Sequence, residues 1–212
     1  MKINLLSYFI NENTPVYGGV KDSIVISNDR SILNGDTSNN LSFKFPAHIG
    51  THVDFPYHFS LDGKKSNEYP PSFWVFNNVG FLECSIDEFE EKLNLLDNNI
   101  DILILKTGFG KFRNDNRYWE SQPVIFARFA DILKSKFPKL RLFGFDMISL
   151  TSQNDKAEGK KAHLNFLIKN DILIMEDMNL ENTNECPDKV VVSPLQIENA
   201  DGVPCTIYSF TN

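Results

Sequence analysis

Short segments rich in aliphatic and aromatic residues recur along the chain, and each is ended by Gly, Pro, Asn or Asp. Such segments are typical of β-strands, because branched and aromatic side chains pack well on a pleated sheet and the flanking residues favour turns. The pattern predicts strands at residues 3–9, 41–45, 80–84, 102–107, 142–145, 172–175, 190–193 and 206–210. The turn sequence Ala-Asp-Gly at 200–202, between two extended segments, predicts a hairpin near the end of the chain.

Helical signals are fewer but better marked. Ser85 and Glu88 fit a capping box, which predicts that a helix begins directly after Ser85. A second helix is predicted to open at Pro123, which is tolerated in a first turn, and to run to about Lys136. A third, short helix is predicted around His163. Strands thus outnumber helices, and the sequence predicts an α/β or α+β fold.

Length and composition suit a single globular domain. The chain has 212 residues, of which 42% are hydrophobic and 23% charged, values close to those of average globular proteins. No internal repeat, Pro/Gly/Ser linker or long block of like charge divides the chain. We therefore expect one domain spanning residues 1–212.

The charge balance disfavours several classes of partner. The chain carries 21 Lys and Arg against 28 Asp and Glu, a formal net charge of −7, which argues against binding through nucleic-acid phosphates or anionic lipid. A net charge of this sign is still compatible with a local basic patch. No apolar run approaches the roughly 18 residues of a membrane span. The first residues show no cleavable leader, and Cys84, Cys186 and Cys205 form no Cys-x-x-Cys pair. We expect a cytoplasmic protein with reduced thiols and neither a nucleic-acid nor a membrane partner.

Candidate chemistry concentrates in one short segment. His48, His52 and His58, three of the four histidines in the chain, fall within it together with Asp54. Nearby glycine, threonine and prolines argue against a helix there. In an extended segment, residues two or four apart project from the same side, so His48, His52 and Asp54 can converge, and His58 can reach them after a turn.

Two neutral imidazoles and a carboxylate suit a divalent ion such as zinc or manganese. The alternative is that these are ordinary hydrogen-bonded histidines near a turn. His163 and Glu176 lie far along the chain, and alone they would be a packed core histidine and a solvated carboxylate. A second metal ion that shares Asp54 would need one more imidazole and one more carboxylate, and His163 is the only remaining histidine.

Residues 48–59 follow the pattern His-x-Gly-Thr-His-x-Asp-x-Pro-x-His-Phe, which resembles the signature of the cyclase family that includes bacterial kynurenine formamidase and isatin hydrolase. The resemblance extends over most of the chain. It includes Lys-Thr-Gly at 106–108, Gly-Phe-Asp-Met-Ile-Ser at 144–149, His-Leu-Asn-Phe-Leu at 163–167 and Ile-Met-Glu at 174–176. This family implies a swivelling β/β/α fold with a mixed sheet and flanking helices, and a homodimer or homotetramer.

The resemblance also implies roles for individual residues. It implies one or two metal ions per chain. His48, His52 and Asp54 are implied to hold one ion, and Asp54 is implied to be shared with a second ion held by His163 and Glu176. Zinc is the first expectation for the metal and manganese the second. His58 is implied to be the catalytic acid or base, and the alternative is that it only orients Asp54 by a hydrogen bond.

The function expected on this basis is hydrolysis of a small amide, formamide or lactam by metal-activated water. Aromatic side chains near the motif are expected to line a pocket for a planar substrate: Phe55, Tyr57, Phe59 and Trp74. Phe55 stands where bacterial kynurenine formamidases tend to have a small residue, which leaves the substrate open. The alternative is a small-molecule binding or regulatory protein on the same fold, with a structural or lost metal.

Overall fold

The structure is a computed structural model that describes residues 1–212. Its strands are β1 (Lys2–Leu5), β2 (Val25–Arg30), β3 (Asn40–Lys44), β4 (His52–Asp54), β5 (Val75–Phe76), β6 (Val79–Glu83), β7 (Ile102–Lys106), β8 (Leu142–Phe145), β9 (Leu173–Glu176), β10 (Lys189–Pro194) and β11 (Gly202–Thr211). Its α-helices are α1 (Ile86–Lys92), α2 (Arg117–Glu120), α3 (Arg128–Lys136) and α4 (Lys156–His163). Each predicted strand overlaps an observed one, whereas β2, β4 and β5 are additional.

Nine strands form one mixed sheet in the order β5-β10-β11-β4-β9-β8-β7-β6, and β1 pairs with β11 as well. Strands β6 to β9 are parallel, and the remaining pairs are antiparallel. The apolar run Ile102–Lys106 forms β7, whose four aliphatic side chains are completely buried, as a parallel strand covered on both faces requires. The expected α/β fold with a mixed sheet is confirmed.

The helices show one confirmed and one wrong boundary. The capping box at α1 is present, since the Ser85 hydroxyl accepts from the backbone N–H of Glu88 and the Glu88 carboxylate accepts from that of Ser85. The helix predicted to open at Pro123 instead begins at Arg128. The Glu158 carboxylate accepts a hydrogen bond from the backbone N–H of Ala127, which fixes the start of the helix at that point.

The third predicted helix is α4, which ends at His163 and continues as a π-helical segment, Leu164–Lys169. Helices and sheet enclose one contiguous hydrophobic core of 41 buried residues. None of the helices combines the length and the hydropathy needed to cross a bilayer.

Strands β2 and β3 form a separate two-stranded sheet that does not join the main one. Nearly all of its residues are exposed, including the large apolar side chains of Val25, Leu41 and Phe43. An isolated two-stranded hairpin is only marginally stable in water, so this hairpin lacks the support that a third strand or a packed helix gives.

Candidate metal centre

Two neighbouring strands of the main sheet place the first three polar groups. His52 and Asp54 lie two residues apart on β4, so their side chains project from the same face. Strand β9 pairs His52 directly with Glu176. Nε2 of His52 lies 3.4 Å from a carboxylate oxygen of Asp54 and 3.3 Å from one of Glu176, and all three side chains are buried.

A fourth group comes from the end of helix α4. Nε2 of His163 lies 3.5 Å from Asp54 Oδ2 and 3.8 Å from Glu176 Oε1. The helix changes to π-helical geometry directly after His163, and such segments occur frequently at functional sites. Glu176 is oriented from its other side, because the backbone N–H of Leu150 and the hydroxyl of Ser149 donate to its Oε1.

Hydrogen bonds to the backbone determine which nitrogen each buried imidazole presents. Nδ1 of His52 donates to the Gly50 carbonyl at 2.8 Å, and Nδ1 of His163 donates to the Gly159 carbonyl at 2.9 Å. A carbonyl can only accept, so in each neutral imidazole Nε2 carries a lone pair that faces the carboxylates. Nε2 of His52 is buried and has no hydrogen-bond partner. Imidazole lone pairs that face two carboxylates form a donor set that fits a divalent metal ion.

Electrostatics indicate a site that needs positive charge. Burial lowers the pKa of His52, but Asp54 and Glu176 outweigh it and raise the pKa well above the usual value. The same carboxylates raise the pKa of His163 to about 9 against the effect of its burial. In turn, burial raises the pKa of Asp54, but the neighbouring imidazoles of His163 and His48 outweigh it and hold the pKa well below its usual value. Without a cation, protonated imidazoles would balance the carboxylates, and a divalent ion would displace those protons.

His48 and His58 form a second group around the same aspartate. Nδ1 of His48 lies 2.8 Å from Asp54 Oδ1, and its Nε2 lies 2.9 Å from Asp201 Oδ2. Nδ1 of His58 lies 3.0 Å from that same oxygen of Asp201. The His48 ring sits so close to Gly202 that a Cβ there would overlap it.

The structure thus contains two groups with metal-ligand spacing, and Asp54 belongs to both. One group contains His52, Asp54 and Glu176, and the other contains His48, Asp54 and His58. The sequence resemblance implies a different division, with His48, His52 and Asp54 at one ion and Asp54, His163 and Glu176 at the other. Strand β9 pairs with β4 in a register that places Glu176 directly opposite His52.

Sequence reasoning missed Asp201 as a functional residue. It belongs to the Ala-Asp-Gly segment, for which the sequence predicts only a turn. The pairing of β11 with β4 places Asp201 next to the histidines. Nothing in the sequence near position 201 marks it as polar chemistry, because Ala-Asp-Gly is an ordinary turn sequence.

The groups line a cavity of about 330 Å³ that opens to the surface. Its apolar wall consists of Pro15, Phe59 and Ile148, and Tyr17 also lines it. The ring of Phe59 stacks on that of His163, with centroids 4.4 Å apart. This volume is at the lower end of the range for small-molecule sites, so the cavity fits a compact ligand.

Three of the four aromatic residues expected in the pocket lie elsewhere. Phe55 follows Asp54 and points to the opposite face of β4, where it is completely buried against Tyr69 and Trp74. Side chains alternate along an extended strand, so a residue adjacent to a cavity-facing one faces the core. Tyr57 lies instead under the amino group of Lys65. Of the expected residues, Phe59 lines the cavity.

A closed ion pair lies directly beside the centre. Asp177 follows Glu176, is buried, and adopts a left-handed backbone conformation with φ of 50°. Arg113 donates to its carboxylate through Nε at 2.9 Å and Nη2 at 2.7 Å, and the Tyr118 hydroxyl donates at 2.6 Å. Its backbone carbonyl accepts from the hydroxyl of Thr51, next to His52. These bonds fix the end of β9 relative to β4.

The fold and the site define a class of protein, an α/β domain with a buried histidine and carboxylate centre that opens to a small cavity. Residues 5–152 match the model of the Cyclase family, and this chain belongs to that family. It is 31% identical to the kynurenine formamidase of Bacillus anthracis over 162 residues, which cover 74% of this chain and 73% of that protein.

Solved structures share the fold over the whole chain. Isatin hydrolase A from Labrenzia aggregata superimposes with a TM-score of 0.82 at 16% identity, covering 100% of this chain and 94% of that one. A potential metal-dependent hydrolase with cyclase activity superimposes with a TM-score of 0.76 at 20% identity, covering 100% and 98%. At these identities the structures establish a common fold.

Proposed function

We propose that this protein is a metal-dependent hydrolase that cleaves a small amide, formamide or lactam at a carbon–nitrogen bond other than a peptide bond. The observation that carries the proposal is the buried group of His52, Asp54 and Glu176. Nε2 of His52 faces the two carboxylates and has no hydrogen-bond partner. Family membership and the kynurenine formamidase relatives support this class of reaction and favour a formamide among the substrates.

The metal would be held by Asp54 and by four imidazole and carboxylate side chains close to it: His48, His52, His163 and Glu176. Mixed nitrogen and oxygen donors suit zinc first and manganese second. We expect one or two ions per chain, because the two groups share one aspartate. When bound, the cation would polarise the scissile carbonyl and lower the pKa of a water molecule.

His58 is the residue to which we assign proton transfer. Its Nδ1 lies at hydrogen-bond distance from Asp201, which fixes the ring and leaves Nε2 free on the cavity side. Burial lowers the pKa of His58 and outweighs the opposing effect of Asp54. The imidazole is therefore neutral near pH 7 and can accept a proton from water, then return it to the leaving nitrogen.

The shape of the cavity supports a small molecule as partner. Its volume of about 330 Å³ accommodates a compact ligand, and the rings of Tyr17 and Phe59 provide flat walls for a planar one. The carboxylates and imidazoles lie along the remaining wall. A planar aromatic amide that presents its carbonyl to the polar wall satisfies both surfaces.

The test begins with metal analysis of purified protein, with one or two equivalents expected. Zinc-loaded and manganese-loaded protein is then screened for hydrolysis of N-formyl aromatics, lactams and lactones. Protein that stays metal-free after incubation with either ion would contradict the proposal. His52→Ala should lose both metal and activity, whereas the matched variant His58→Ala should keep its metal and lose activity by about 10² to 10⁴ fold.

We further propose that the chain forms a homodimer or homotetramer through the hairpin of β2 and β3. The exposed apolar side chains of Leu33, Leu41 and Phe43 support this, because an isolated hairpin gains stability only by packing on another surface. Light scattering should show an oligomer, and Phe43→Ser should weaken it. A monomer at all concentrations would contradict the proposal.

A cytoplasmic location is the expectation that accompanies this proposal. Cys84, Cys186 and Cys205 are all free, and burial raises the pKa of the Cys205 thiol. Unpaired thiols fit a reducing compartment. Fractionation of cells that express the protein would test it, and recovery outside the cytoplasm would contradict it.

A further inference from the structure

Tyr17 is a cavity residue that neither the histidine motif nor the metal centre uses. It lies in the N-terminal part of the chain, well before β4, and still lines the same cavity as His58 and Glu176. Its hydroxyl oxygen is buried and has no hydrogen-bond partner in the protein. Leaving a buried hydroxyl unpaired is unfavourable, so such a group is expected to have a partner when the site is in use.

Most other hydroxyl and imidazole donors of the cavity wall are already engaged. Ser149 donates to Glu176, and Nδ1 of His58 is held by Asp201. Nδ1 of His163 carries a proton, so the Thr151 hydroxyl, 3.3 Å away, accepts from it and keeps its own proton free. Of the two neutral donors that remain on this wall, the Tyr17 hydroxyl is the one that is buried without any partner.

A tight turn directs Tyr17 towards the cavity. Gly18 and Gly19 both have positive φ values, 76° and 67°, which residues other than glycine rarely adopt. The backbone N–H of Gly19 donates to the Val16 carbonyl, and the Cβ position of Gly19 is 3.0 Å from the indole of Trp119. The turn and its packing on Trp119 restrict the directions in which Tyr17 can point.

We propose that the Tyr17 hydroxyl donates a hydrogen bond to the carbonyl oxygen of the substrate. This inference rests on the proposed function, in which that oxygen gains negative charge as water attacks the carbon. A donor already in place costs no reorganisation when the charge develops. The partner chemistry is that of an amide, formamide or lactam, whose strongest acceptor is the carbonyl oxygen. A phenolic hydroxyl keeps its proton near neutral pH, so Tyr17 can act as the donor.

The test compares Tyr17→Phe with a matched variant, Tyr69→Phe. The hydroxyl of Tyr69 is also buried without a partner, but Tyr69 does not line the cavity. Tyr17→Phe should lower kcat by roughly 10 to 100 fold and change KM by less than about five fold, with unchanged metal content. Its melting temperature should stay equal or rise, because an unpaired hydroxyl is removed. Tyr69→Phe should leave kcat and KM unchanged.

Several outcomes would overturn the inference. An unchanged kcat for Tyr17→Phe, or a loss confined to KM, would show that the hydroxyl does not act on the reacting carbonyl. A lower melting temperature with the same activity loss in both variants would indicate a structural role.

A binding measurement separates this inference from the proposed function. Titration calorimetry with acetanilide, a planar aromatic amide, should show binding to metal-loaded wild type and affinity about 3 to 10 fold weaker for Tyr17→Phe. If wild type binds acetanilide but hydrolyses no test compound, the proposed function fails, and the ratio of affinities still decides the role of Tyr17. Equal affinities, or no binding to wild type, would overturn the inference.

Discussion

Glu176 and Asp177 are adjacent carboxylates, both buried, with opposite surroundings. The Asp177 carboxylate receives hydrogen bonds from Arg113 and Tyr118, so its charge is neutralised and its oxygens are satisfied. Glu176 instead faces Asp54. Burial and this like charge raise the pKa of Glu176, but the imidazoles of His163 and His52 outweigh both and lower it. The Asp177 carboxylate is thus fully paired within the protein, whereas the Glu176 carboxylate can still bind a cation.

This difference separates a structural charge from a functional one. A buried carboxylate is costly unless it is paired and hydrogen-bonded, and Asp177 meets that condition within the chain. Glu176 meets it only in part, because Asp54 competes for the same imidazoles. A site that keeps two carboxylates together in the core stores an unfavourable arrangement, which a divalent metal ion would relieve.

Glu176→Gln should have the largest effect on activity. The amide keeps the shape of the side chain but removes one negative charge from the metal centre, so metal content should fall and hydrolysis should drop by about 10³ fold or more. The free energy of unfolding of the metal-free protein should also fall, because the imidazoles of His52 and His163 lose a buried carboxylate partner. Retained metal with full activity would show that Glu176 is not a ligand.

Arg113→Met tests the paired carboxylate of Asp177 and should lower the stability of the protein. It leaves Asp177 buried without its cation, which should lower the free energy of unfolding by about 3 to 5 kcal/mol. Adding Asp177→Asn should restore most of the loss, because the amide carries no charge. The matched control is Arg117→Met, since Arg117 forms an exposed pair with Asp115 and its loss should not change the melting temperature. Equal melting temperatures for both single variants would show that the Arg113–Asp177 pair does not stabilise the fold.

The contrast between the two carboxylates explains what could be predicted from the sequence. The histidine motif is local, so its convergence follows from the alternation of side chains along one extended segment. The same alternation places Phe55 on the opposite face of the strand, away from the cavity. A prediction that uses only the presence of aromatic residues near the motif does not include this alternation. Arg113 and Asp201 reach the centre only through the order of strands in the sheet. Contacts between segments far apart in sequence depend on that order, and no local pattern encodes it.

The pH dependence of the metal-free protein should reveal protons in place of the cation. The pKa of His163 is raised from 6.5 to about 9 in the folded protein, so its stabilising effect is complete below about pH 6.5 and is lost as the pH rises through about 9. In EDTA, the melting temperature should fall between pH 7 and 9.5. In zinc-loaded protein it should not, because the metal competes with protons and binds better at higher pH.

His163→Gln provides the control for this pH effect. The variant removes the titrating imidazole, so the fall in melting temperature of the metal-free protein should become smaller. A melting temperature in EDTA that is constant or rises between pH 7 and 9.5 would contradict the proposed protonation of the centre.

Asp201→Asn extends the comparison to a partly exposed carboxylate and should have the smallest effect. Burial lowers the pKa of His58, and the hydrogen bond to the Asp201 carboxylate orients the imidazole and partly offsets that effect. Asparagine can still accept the hydrogen bond, so metal content should stay the same and activity should fall by roughly ten fold. The pKa of His58 should fall further, which moves the acid limb of the pH–rate profile to lower pH.

The exposed Asp171 provides the matched control for Asp201→Asn, because it pairs only with Lys64 on the surface. Asp171→Asn should leave both the rate and the pH profile unchanged. A pH profile for Asp201→Asn that overlays that of wild type would show that Asp201 does not act through His58. A tenfold loss without the shift would assign Asp201 to the orientation of His48 instead, since both imidazoles meet the same oxygen.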